Sequence, residues 1–123
     1  MLIVDDEKDI CALISNILTS FEGIKTSVAL NGEDALVKLR REHYDLVILD
    51  YKLGKVDGFA VLEEAGQLQP GIRVIMMSGH GDAQTKEHTS LTSNALGSVD
   101  FIGKPFGIKS FVEVLENALR KRA

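Results

Sequence analysis

A chain of 123 residues suits one domain and is long enough to bury a core without disulfide or metal staples. With 45% apolar residues, 26% charged residues and a net charge of -4, it has the balance of a soluble globular protein, and the negative sign argues against nucleic acid or an anionic membrane as the main partner. The single cysteine, Cys11, excludes an internal disulfide and a cysteine-based zinc site; no apolar run has the length of a membrane span or a secretory leader, so a cytoplasmic setting is expected.

Leu2-Ile3-Val4 is a short apolar run that ends on Asp5 and Asp6. Ile10, Leu13, Ile14, Ile17, Leu18 and Phe21 then recur at helical spacing, and Gly23 closes that helix. Cys11 falls inside it and is expected to be an inert helix residue. Ile24 to Leu30 has the β-branched character of a strand. Asn31-Gly32 is a turn or cap signal ahead of a polar-faced helix over Glu33 to Glu42. Leu46 to Leu49 is apolar on both faces and runs straight into Asp50. Gly58 to Gln69 predicts a helix, stopped by Pro70-Gly71. Arg73 to Ser78 is another strand apolar on both faces. A polar stretch from His80 to Asn94 predicts a further helix, rich in Ser and Thr from Thr85 onward. Asp100 to Lys104 predicts a short strand. Ile108, Phe111, Val112, Leu115 and Leu119 mark an amphipathic C-terminal helix, and Arg120, Lys121 and Arg122 suit the negative end of its dipole.

Five strands alternating with five helices predict an α/β domain with a parallel sheet covered on both faces. There is no internal repeat, low-complexity tract or linker, so residues 1–123 are expected to form one domain. In open α/β sheets the ligand site lies outside the carboxyl ends of the strands. Those ends carry Asp5-Asp6, Asp50, Ser78 and Lys104-Pro105. Clustered carboxylates repel one another and favour a bound cation, and an all-oxygen set suits Mg²⁺. An ammonium and a hydroxyl beside them meet the needs of a phosphoryl group in transfer. A carboxylate among them has the chemistry of a nucleophile that forms an acyl phosphate. Any one of these residues alone is better explained as a helix cap, a turn residue or strand-end punctuation. Their joint order along an alternating chain is what points to phosphoryl chemistry.

The segments Val4 to Glu7, Leu46 to Gly58, Val74 to Gly79 and Asp100 to Phe106 resemble the receiver domains of two-component response regulators, and the resemblance runs along essentially the whole chain. It implies a flavodoxin-like, doubly wound five-stranded parallel sheet of order 2-1-3-4-5 with five helices. It implies that Asp50 accepts a phosphoryl group from a sensor histidine kinase or phosphotransfer protein, and that Asp6, Asp50 and the backbone carbonyl of Lys52 hold Mg²⁺. Asp5 resembles the acidic neighbour that meets the metal through water. Ser78 resembles the switch hydroxyl, Lys104 the lysine that pairs with the phosphoryl group, and Phe101 the switch aromatic, for which plain core packing is the alternative. Lys52 and His80 occupy rim positions that gate hydrolytic water in the family. The implied output surface, for a partner or a homodimer, is the fourth helix, fifth strand and fifth helix.

Two departures stand out. Gly54 occupies a place where the family usually has proline, and Ser78 and Lys104 stand further apart than the family pattern suggests, with the excess in the Ser/Thr-rich segment. That segment, Thr85 to Asn94, is expected to be the least stable ordered part of the domain. The sequence fits either a stand-alone receiver or the receiver of a longer parent. Two other classes compete. A small Mg²⁺-dependent phosphohydrolase would place an acid/base aspartate two residues after the nucleophile, where Lys52 stands. A flavin carrier would need a phosphate-cradling loop where the acidic Asp5 to Asp9 stretch lies. A receiver that serves only as an unphosphorylated scaffold sits poorly with a full acidic set plus Ser78 and Lys104.

Overall fold

The computed structural model describes residues 1–53, 58–79 and 98–120. The strands are β1 (Leu2–Val4), β2 (Ser27–Ala29), β3 (Leu46–Asp50), β4 (Arg73–Ser78) and β5 (Ser98–Gly103). The helices are α1 (Lys8–Thr19), α2 (Gly32–Arg41), α3 (Gly58–Leu68) and α4 (Ile108–Arg120). All strand pairs are parallel, in the order β2-β1-β3-β4-β5. This is the flavodoxin-like order that the resemblance implied. Four of the five expected helices are among the described residues. The remaining one, over the polar stretch that includes His80 and residues 85–94, lies outside them, as do Gly54, Lys121 and Arg122.

Strand side chains alternate between the two faces of a sheet. On one face Leu2, Val4, Val47, Leu49, Val74 and Met76 pack under Ala35 and Leu39 of α2 and Val61, Leu62 and Ala65 of α3. On the other, Ile3, Ile48, Ile75 and Met77 pack under Ile14 and Leu18 of α1 and Phe111 and Leu115 of α4. Every residue of β1 and β3 is buried, as are the four central residues of β4. Two covered faces are the reason that these strands are uninterrupted apolar runs rather than alternating ones.

Strand lengths follow from the neighbours. The segment from Ile24 to Leu30 forms only three strand residues, because β2 lies at the edge and its one partner, β1, is three residues long. At the other edge β5 starts earlier than its sequence suggests, since all six residues of β4 are available to pair with it; Lys104 follows the strand instead of closing it. Ile108 departs from expectation. It sits 58% exposed at the first position of α4, and the buried face of that helix begins at Phe111. The cap signal at Asn31 is fulfilled: its side chain accepts from Asp34 N–H at 2.7 Å. Gly23 and Gly71, at φ +82° and +87°, turn the chain after α1 and α3 in the left-handed region that side chains avoid.

Candidate functional site

The carboxyl ends of the strands are fixed by ladder bonds that run one residue past each strand. Asp5 N–H donates to Ala29 O at 3.1 Å, Tyr51 N–H to Met77 O at 2.8 Å, and Lys104 N–H to Ser78 O at 2.7 Å. Asp5, Asp50, Ser78 and Lys104 therefore hang from one rigid sheet edge. Asp5 is wholly buried and Asp50 6% exposed, while Asp6 faces solvent.

Carboxylate oxygens of Asp5, Asp6 and Asp50 lie within 4.8 Å of one another. The Lys104 ammonium reaches in from the β5 side, 2.7 Å from Asp5 Oδ2 and 3.2 Å from Asp50 Oδ2. The second oxygens are held by backbone. Glu7 N–H donates to Asp5 Oδ1 at 2.9 Å, and Lys52 N–H to Asp50 Oδ1 at 3.3 Å. Among the described residues, three acids thus share this edge with the Lys104 ammonium, which pairs with two of them. Burial, with the charge of Asp5 added to it, raises the Asp50 carboxyl from 3.8 to about 6 against the opposing pull of Lys104. Burial draws Lys104 down, but its bonds to Asp5 and Asp50 outweigh that and hold it above its ordinary value. The surplus negative charge, the all-oxygen donor set and the opening at Asp6 fit a hard divalent cation of the Mg²⁺ type.

Ser78 ends β4, half-buried and in register with Gly103. Phe101, half-buried, packs against the core under α2 and α3. Lys52 exposes its side chain beside Asp50. The rim role expected for His80 falls outside the described residues. Cys11 is buried, donates to the Asp5 carbonyl at 3.4 Å, and has its thiol pushed up to about 11, first by burial and then by Asp5; this agrees with the inert residue expected. One residue escaped the sequence analysis. Gly58, the first residue of α3, lies directly on the Asp50–Tyr51 backbone. The sequence signal was its place at the end of the Leu46 to Gly58 segment, at a loop-to-helix junction, where no role had been read for it.

Residues 1–116 match the family model of the response regulator receiver domain. The chain belongs to that family. It is 35% identical over 121 residues to the nitrogen assimilation regulatory protein NtrX of Azorhizobium caulinodans, covering 97% of this chain and 26% of that protein. It is 30% identical over 119 residues to the transcriptional regulatory protein ZraR of Salmonella typhimurium, again covering 97% and 26%. The chain spans about a quarter of the length of these curated relatives. Among solved structures it resembles the receiver domain of NtrX from Brucella abortus, with 37% identity, a TM-score of 0.80 and 97% of each chain covered. A CheY-like receiver domain protein from Methanospirillum hungatei superposes with a TM-score of 0.83 at 28% identity, over 97% of this chain and 91% of that one. As a receiver, the domain is a phosphorylation-switched module of two-component signalling. No described helix is long and apolar enough to cross a membrane.

Proposed function

We propose that Asp50 is the phosphoacceptor, and that a divalent cation, Mg²⁺ in the cell, is held by Asp6, Asp50 and the Lys52 carbonyl, with Asp5 meeting it through water. The observation that carries this reading is the position of Asp50. It ends a fully buried strand with the oxygens of Asp5 and Asp6 within 4.8 Å and the Lys104 ammonium 3.2 Å away. When bound, the cation neutralises charge on the incoming phosphoryl oxygens.

The donor is a phosphohistidine on a sensor histidine kinase or phosphotransfer protein. An Asp50 oxygen attacks phosphorus, the P–N bond breaks, and the imidazole nitrogen leaves with the bonding pair and takes up a proton. The product is an acyl phosphate on Asp50 and a neutral histidine. Lys104 releases Asp50 Oδ2 and follows the charge onto a phosphoryl oxygen while staying anchored on Asp5. Ser78, next to Lys104 through the bond from Lys104 N–H to Ser78 O, supplies a hydroxyl to a second phosphoryl oxygen. Phe101, on β5 in register with Met76, carries that change toward the output surface expected of the fourth helix, fifth strand and fifth helix, of which β5 and α4 are the described part, for a partner or a second copy. Because ATP charges such donors, the reading implies a cytoplasmic setting. It also implies catalysis of the domain's own phosphorylation and dephosphorylation only. The hydrolase alternative lacks its second acid: position 52 is Lys52.

The test is intact mass after exposure to acetyl phosphate and Mg²⁺, on native protein and on Asp50→Asn. One phosphoryl group per chain is expected on the native protein, with at least a tenfold loss in the variant or in excess chelator. Unchanged labelling of Asp50→Asn would falsify the assignment.

A further inference from the structure

Gly58 begins α3 against the strand exit that carries Asp50. An ideal Cβ there would overlap the backbone oxygen of Asp50 and stand 2.7 Å from Tyr51 Cα and 2.8 Å from Tyr51 O. All three are backbone atoms, which cannot swing aside as the tip of a side chain can. Gly58 N–H also donates to Tyr51 O at 2.9 Å. The missing side chain therefore lets the first turn of α3 rest on the Asp50–Tyr51 peptide and bond to it.

The same short segment is held from two other directions. Tyr51 N–H donates to Met77 O at 2.8 Å, and Lys52 N–H to Asp50 Oδ1 at 3.3 Å. A methyl group at position 58 has three ways to fit. Lifting the start of α3 away is resisted by Val61 and Leu62, which are fully buried. Movement of the peptide toward β4 is resisted by Met77, which is fully buried. The remaining way is outward along the rim, which shifts Asp50 and Lys52 relative to Asp5 and Asp6 on β1. A displacement near 1 Å in a reacting group can cost on the order of a hundredfold in rate.

We propose that Gly58 is a positioning residue for the acceptor: by having no side chain, it sets the Asp50–Lys52 backbone in register with the carboxylates of β1. The proposal rests on the reading of Asp50 as phosphoacceptor. Two variants of the whole domain separate positioning from general destabilisation. Gly58→Ala acts at the contact, and Leu39→Ala removes a buried α2 side chain at the far end of the core. Both are assayed well below their melting temperatures, by calorimetric Mg²⁺ titration, by the ¹⁹F spectrum of the beryllofluoride adduct and by initial rate of labelling from acetyl phosphate. Gly58→Ala is expected to weaken Mg²⁺ binding and slow labelling at least tenfold, with a shifted ¹⁹F signal. Leu39→Ala is expected to melt lower yet stay within twofold of native on both.

A Gly58→Ala protein within twofold of native overturns the proposal, as does a Leu39→Ala protein that loses as much. Native protein that takes no phosphoryl group on Asp50 breaks the acceptor reading and this one with it. Labelling that is normal in the native protein and in Gly58→Ala breaks only this one. If Gly58→Ala does not fold, the Gly58 amide of the native domain is followed by NMR. It should be protected from exchange and should shift with Mg²⁺ and with beryllofluoride; an unprotected or unmoved amide overturns the proposal.

Discussion

The two ends of the sheet treat buried polar groups in opposite ways. At the amino ends of the strands, Gln69 is buried and every bond it makes is to backbone. Its Oε1 accepts from Tyr44 N–H at 2.9 Å, and its Nε2 donates to Leu39 O at 2.9 Å and Glu42 O at 2.6 Å. One neutral side chain thereby closes the end of α2, the turn into β3 and the end of α3. At the carboxyl ends, Asp5 and Asp50 are equally buried but charged, repel each other, and share a single ammonium. The first arrangement satisfies polar groups and adds stability. The second leaves surplus charge in place, which lowers stability and suits the cation and phosphoryl group proposed for it.

The largest expected effect breaks the stabilising end. Gln69→Ala removes three hydrogen bonds and leaves a buried N–H and two carbonyls without them. The cost should be about 2–4 kcal/mol, lowering the melting temperature by on the order of 10 °C. Mg²⁺ affinity, set at the opposite edge, should remain within about twofold. Chemical denaturation and calorimetry check both. A Gln69→Ala protein as stable as native would remove the contrast.

The second effect has the opposite sign. Asp50 titrates near 6 in the fold and near 3.8 in the unfolded chain. Between those values the folded state holds the proton more tightly, so the contribution of Asp50 to stability falls as pH rises. Converted in full, the difference would be about 3 kcal/mol; solvent screening at the open rim reduces it to roughly 1–2 kcal/mol. Without metal, Asp50→Asn should match native protein below about pH 4, gain over it through the window from 4 to 6, and keep the gain at pH 7. Saturating Mg²⁺ should narrow or reverse the gap, because ligand binding stabilises the native site more. Denaturant midpoints across pH, with and without Mg²⁺, measure this. A gap independent of pH would mean that Asp50 carries no electrostatic stress.

How much of this contrast was legible in the sequence depends on where the signal lay. Strands buried on both faces write themselves as Leu46 to Leu49 or Val74 to Met77, and the polar residues Asp50 and Ser78 placed directly after such runs pointed to the candidate site. Gln69 gave no signal, since a glutamine ahead of Pro70 looks like an ordinary helix end; only the meeting of α2, α3 and the β3 approach gives it three partners. Gly58 was silent for the same reason, as its role lies in the distance to a backbone eight residues earlier. The limits of β2 and β5 were also misjudged locally, because a strand at the edge of a sheet extends only as far as its neighbour allows.

The smallest effect sharpens the contrast at the level of single cations. Arg73, at the amino end of β4, donates to Asp45 O at 3.3 Å, Ala118 O at 3.3 Å and Leu119 O at 3.2 Å, which ties the end of α4 to the sheet. Lys52 sits at the other end with an exposed side chain, and its backbone N–H donates to Asp50 Oδ1. Loss of the acyl phosphate requires a water in line with the bond that breaks, on the solvent side of the phosphoryl group. Lys52, two residues from Asp50 and exposed, is the cation expected to influence that water. If it shields the phosphoryl group, Lys52→Ala shortens the lifetime; if it orients the water, Lys52→Ala lengthens it. A change of about threefold is expected in either case, equivalent to roughly 0.6 kcal/mol of barrier. Arg73→Ala should do the reverse: a lower melting temperature with an unchanged lifetime. The decay of the phosphorylated mass peak, followed in both variants after the donor is removed, decides the matter. A Lys52→Ala lifetime within about twofold of native would make Lys52 a solvated surface lysine and leave the timing of the switch to other residues.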